Sequence, residues 1–229
     1  MRRAIFILAV MASFFLQASA GERSYSVLPP DALLGGGAQT VDGIAARIED
    51  DILTESELRE LAAFQELVDG QAKPRPELIR ELADQWIVRG EAVATNYPRP
   101  SAEDVEGNFA KLSRQFRSPE EFKNRCARAG LTEADMRRII DEQLYLSRFL
   151  DYRFRPAAQV DDRQIERYYQ DELTAQLRAR GQSVPPLEEV SDTIREVLVQ
   201  RAIDLLSTRW LDETRDRLKI DTVSDGDAP

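Results

Sequence analysis

The chain has 229 residues, with 41 acidic side chains against 31 basic ones and a net charge of −10. That length can bury a sizeable core, as one large domain or two small ones. The acidic balance excludes a nucleic-acid backbone as partner and disfavours docking on an anionic membrane surface. Histidine is absent and Cys126 is the single cysteine. No Ser-His-Asp or Cys-His site can be built, the commonest zinc ligand is missing, and neither an intramolecular disulfide nor a multi-thiolate metal centre is possible. The remaining acids and bases scatter over helical faces. The expectation is a protein that is not an enzyme, with no catalytic residue, metal site or cofactor.

Residues 1–20 read as a secretory signal peptide. Arg2 and Arg3 form a basic start, Ala4–Leu16 is a nearly unbroken apolar run, and Ala18-Ser19-Ala20 supplies the small residues that signal peptidase needs. The run falls short of the roughly 20 residues that span a bilayer, so cleavage is favoured over an uncleaved anchor. The mature chain is expected to start at Gly21, in the periplasm, without stable membrane insertion. One cysteine suits that oxidising space, because nothing within the chain can mispair.

Residues 21–40, with Pro29-Pro30 and Gly35-Gly36-Gly37, read as a flexible lead-in. From Val41 the pattern is ordered. Ile44, Ala46 and Ile48 alternate, Glu49-Asp50-Asp51 turns, and Ile52-Leu53 resumes, which predicts a short hairpin. Helix starts follow: Thr54 with Glu57, Ser101 with Asp104, Ser118 with Glu121 and Thr132 with Asp135 each set a hydroxyl three residues before a carboxylate. Pro119 suits a first helical position, and Gly130 suits a left-handed stop. Ile79, Leu82, Trp86, Val93 and Tyr97 share one face of a helix that Pro98 and Pro100 end; Val105, Phe109, Leu112 and Phe116 share another.

A long helix over about 133–153 carries Met136, Ile139, Ile140, Leu150 and Phe154 on one side and Tyr145, Phe149 and Tyr152 on the other. A helix over about 162–180 carries Ile165, Tyr168, Tyr169 and Leu173, and breaks at Gly181 and Pro185-Pro186. The last helix, about 187–216, has two stripes: Leu187, Val190, Ile194, Val197 and Leu205, then Val199, Ile203, Leu206 and Trp210. The second stripe is expected to dock on the N-terminal helices. Leu218–Val223 alternates like a strand, ahead of a tail at 224–229. An isolated hairpin is marginal in water, so the first hairpin needs this strand as its third. The fold class predicted is mainly α, with a small β-sheet made by the N-terminal hairpin and the C-terminal strand.

The order of these segments resembles the SurA family of periplasmic chaperones. VDGIAARIEDDILTESEL (41–58) looks like that family's entry strand, turn, strand and helix start. The stretch 101–150 is similar to its helical core, 160–173 to the segment leading into its parvulin domain, and 186–220 to its C-terminal helix and closing strand. The chain departs from the family pattern at Thr174–Pro185, where a short connection stands in place of a parvulin prolyl isomerase. The resemblance implies a chaperone core at 41–160, a helix and linker at 161–186, and a C-terminal helix and strand at 187–223 packed back on the core. It also implies that outer-membrane protein precursors are the clients.

Aromatic stripes in excess of one core face suggest a surface for unfolded chains, with Tyr145, Phe149 and Tyr152 the first candidates and Phe109, Phe116 and Phe122 further ones. Core packing explains the same spacing, because a central helix between neighbours reads identically. Cys126 lies beside Arg125 and near Arg128 but four residues after Phe122, the position of a small buried filler. The expected function is an ATP-independent holdase for unfolded or extended polypeptides. The alternative is an adaptor or structural subunit of an envelope complex that binds one folded partner. Exchange of the final helix and strand between two chains would give a homodimer with the same sheet.

Overall fold

The computed structural model describes residues 42–223. The expected signal peptide at 1–20, the lead-in at 21–40 and the tail at 224–229 lie outside the described residues. Within them the chain is mainly helical with one small antiparallel sheet, as the pattern predicts.

Strands β1 (Ile44–Ile48) and β2 (Asp51–Thr54) form the hairpin, with Glu49 in the left-handed region at φ 50° in its turn. Helices α1 (Glu55–Asp69), α3 (Ala102–Ser113) and α5 (Glu133–Phe154) open with reciprocal capping boxes. The hydroxyls of Thr54, Ser101 and Thr132 accept from the N–H three residues on, and the carboxylates of Glu57, Asp104 and Asp135 accept from the cap N–H. These bonds satisfy N–H groups that a helix start leaves without partners. Helix α4 (Pro119–Arg128) uses half of the device: Ser118 accepts from Glu121, while Glu121 accepts from Arg117 N–H. Gly130, at φ 73°, closes it.

Helix α2 (Arg75–Ala94) ends earlier than its prolines suggest. Asn96 adopts φ 53° and Tyr97 N–H reaches back to the Ala92 carbonyl, so the helix closes before Pro98. Tyr97 therefore leaves the helical face on which its spacing placed it, and Val93 is exposed rather than core. The predicted helix over 162–180 is interrupted: α6 (Asp162–Tyr168) passes through a π turn at Tyr169–Leu173 into α7 (Thr174–Ala179). The Thr174 hydroxyl donates to the Tyr169 carbonyl at 2.7 Å, within that wider turn. Helix α8 (Leu187–Arg215) is the longest, and β3 (Ile220–Thr222) follows it.

Strand order is β2-β1-β3, antiparallel throughout, so the two ends of the described chain close one sheet. Three buried clusters hold the fold. The first packs the sheet against α1 and α2, with Ile48 fully buried and Leu218 and Ile220 against it. The second joins α1, α3, α4 and α5 around Met136, Phe122 and Cys126. The third joins α2, α5 and α8 around Val88, Leu146, Phe149 and Leu211.

The C-terminal half of α8 docks as its second stripe predicts: Ile203 is fully buried, and Trp210 packs on Phe154 with ring centroids 5.8 Å apart. Its N-terminal half packs with α6, and α6–α7 with this half of α8 is the helical arm. Arg195 ties that half to α6 through the Val160 carbonyl and Asp162, while Arg155 bridges Asp151 to Glu196 at the junction.

Candidate apolar groove on the helical arm

The arm is built from two amphipathic faces that meet incompletely. Ile165 on α6 and Ile194 on α8 are buried, 2 % exposed each, and the two helices pack together. Beyond that contact the arm opens into a groove of about 720 Å³. Tyr168, Leu173 and Leu177 form one wall; Val190, Ile194 and Val197 form the other. Gln182, Ser183 and Pro185, in the loop before α8, close one end. Tyr169 holds that loop by donating its hydroxyl to the Pro185 carbonyl at 2.8 Å. Arg201 lies 4.8 Å over the Tyr168 ring and is clasped by both Glu172 carboxylate oxygens at 2.9 Å. The stripe continues along α8 to Leu205, which is 61 % exposed.

The walls are helical, so their backbone groups bond within the helices, and no charged side chain lines the groove. Such a surface offers apolar contact and a few adaptable polar groups, from Gln182, Ser183 and Thr193. Among the described residues no cluster of Cys, Asp or Glu could hold a metal ion, and no helix is long and apolar enough to cross a membrane.

The aromatic residues singled out from the sequence sit elsewhere. Tyr145 and Phe149 are core residues, 2 % and 1 % exposed, which is the core-packing reading of their stripe. They cluster with Ile87, Val88, Ala92 and Leu211, and the end of α2 adds Tyr97 to the stripe. Its ring lies 6.0 Å from Tyr145, 5.5 Å edge-on to Phe149 and 5.3 Å from Tyr152. Arg99, from the same connection, stacks 4.4 Å over Tyr145 and pairs with Glu142 and Asp141.

Only Tyr152 stays exposed. Phe122 is likewise core, because Phe109 and Phe116 close over it at 5.5 and 5.0 Å. Phe109 and Phe116 are half-buried, under Arg137 and Arg125 respectively. Cys126 is buried as a filler, and burial pushes its thiol pKa up, the opposite of an activated thiolate. The sequence reading placed the groove residues Tyr168, Leu173, Val190, Ile194 and Val197 on helical faces without linking the two faces. Their periodicity shows in the sequence; that the two faces leave an open groove between them does not.

No protein-family model matches this chain, and no curated protein matches it.

Proposed function

We propose that the protein is an ATP-independent holdase that shields apolar segments of unfolded or extended polypeptides in the α6–α7–α8 groove. The observation that carries this reading is an open apolar groove between α6–α7 and α8, with no charged side chain in its lining to select a small polar ligand. Side chains entering it are removed from water at roughly 25 cal/mol per Å², without a directional requirement. Affinity set by such burial is modest, on the order of micromolar, so release needs no nucleotide. The signal-peptide pattern at 1–20 supports a periplasmic location, and the resemblance of 41–223 to the SurA family supports outer-membrane protein precursors as clients. The short Thr174–Pro185 connection and the absence of histidine support holding without prolyl isomerisation.

The test is suppression of light scattering by an aggregating unfolded substrate, with the 21–229 chain and no nucleotide. Val190→Asp and Val197→Asp place a charge in the groove and are expected to abolish most suppression with little change in thermal midpoint. Suppression retained by both variants overturns the groove as the holding site. No suppression at several-fold molar excess overturns the holdase reading and leaves the adaptor reading ahead. Prolyl isomerisation above background overturns the non-enzymatic assignment.

A further inference from the structure

Strand β3 is an edge strand whose outer side has no partner among the described residues. Its register on β1 pairs Ala46 with Thr222, Arg47 with Asp221 and Ile48 with Ile220. Glu49 N–H donates to the Lys219 carbonyl and Val223 N–H to the Ala45 carbonyl, both at 3.0 Å. In an antiparallel ladder, hydrogen-bonded and non-bonded pairs alternate. Residues 219, 221 and 223 thus turn their backbone groups to β1, and Ile220 and Thr222 turn theirs outward. β1 has β2 on its other side, so the outward groups of β3 have no strand partner among the described residues. Beside them lies a depression of about 520 Å³ with Ile79 and Ala83 of α2 at its base, Ile220 and Thr222 on one border, and the charged Arg80, Asp212, Arg215 and Asp216 around the rest.

An edge with free N–H and C=O groups accepts another extended strand, and proteins usually block this with repelling charges. The charges on β3 do not repel each other: Lys219 and Asp221 pair within the strand at 3.1 Å. Lys219 and Asp221 flank Ile220 on the opposite face of the strand, with side chains 76 % and 58 % exposed. Read antiparallel against itself, Lys-Ile-Asp sets each lysine against an aspartate. The other edge, Asp51-Ile52-Leu53-Thr54, lacks this self-complementarity.

We propose that the β3 edge pairs antiparallel with the β3 edge of a second copy of this chain, Ile220 opposite Ile220 on a two-fold axis. The two Ile220 residues then exchange both backbone hydrogen bonds. Lys219 of each copy faces Asp221 of the other in the non-bonded pairs, where side chains come closest. Ile220 of the second copy lies on the α2 side of the sheet, over the Ile79–Ala83 depression. The arrangement is isologous and closes at two copies, so it does not run on into fibres. A three-residue strand buries less than the roughly 1,000 Å² of a stable interface, so association is weak and dependent on concentration. Both copies keep their own α8 and β3, and the interface is independent of the α6–α7–α8 groove.

Sedimentation velocity over a concentration series of the 21–229 chain tests this, with thermal midpoints as folding controls. The wild-type chain is expected to pass from monomer to dimer. Lys219→Asp alone and Asp221→Lys alone set like charges opposite each other and are expected to weaken dimerisation at least about tenfold. Mixing these two variants restores a heterodimer, and the double variant K219D/D221K restores the homodimer. Thr222→Pro removes an outward N–H without touching the β1 ladder and is expected to weaken the dimer as well. A chain that stays monomeric to several hundred micromolar overturns the proposal. So does a dimer that either single charge reversal leaves unchanged.

Discussion

Asp84 on α2 and Arg215 in the last turn of α8 meet at 2.9 Å with their side chains 18 % and 11 % exposed. Arg215 is also held by Asp212, which in turn takes Arg80 from α2, so a small charge network fastens the end of α8 to the body. Burial, partly offset by Arg215 and Arg80 and reinforced by Asp212 and Glu81, pushes the Asp84 carboxyl up from 3.8 to about 6.

A raised folded-state pKa means that the protonated form is the one folding favours. The stabilisation is complete below the unfolded value near 3.8 and is lost as pH rises through about 6. Asp84→Asn removes this titration. Relative to that variant, the wild-type chain is expected to lose on the order of 2–3 kcal/mol of stability between pH 4 and pH 7. Urea unfolding at a series of pH values reads the difference; parallel stability profiles for the two proteins would show that Asp84 does not titrate in this window.

Deleting Leu218–Pro229 strips the third strand from the hairpin and uncovers the first cluster where Leu218 and Ile220 pack. The expected cost is roughly 2–4 kcal/mol, from lost ladder bonds and re-exposed apolar surface. Thermal unfolding of the truncated chain checks it, and an unchanged midpoint would sink the closure of the sheet by both chain ends.

The stripe on α5 divides by exposure. Tyr145→Ala and Phe149→Ala open cavities beneath Tyr97 and are each expected to cost about 3–5 kcal/mol. Tyr152, 64 % exposed, keeps one ring contact with Tyr97. Tyr152→Ala is therefore expected to cost no more than about 1.5 kcal/mol. Denaturation midpoints separate the classes, and equal losses at all three positions would contradict the covering role of Tyr97.

Much of the framework was legible because its signals are local. Thr54, Ser101 and Thr132 announce helix starts through bonds made within three residues, and Gly130 a stop through its own φ. Alternation at Ile44–Ile48 and again near Ile220 gave the strands, and the instability of a lone hairpin gave their pairing. The misplaced features are those that depend on a neighbour. Val93 shares the spacing of a core face yet is 63 % exposed, because no described residue covers it, while Ala92 beside it is fully buried.

The sequence by itself determined the helical class, the element order and the closure of the sheet by the two chain ends, since caps and periods act over a few residues. Only the tertiary structure decided which apolar stripes remain open. Tyr145 and Phe149 are core because α2, Leu211 of α8 and Tyr97 pack around them, whereas Val197 and Leu205 are exposed on α8. Burial belongs to the pair of surfaces that meet, and no spacing along one helix specifies what will cover it.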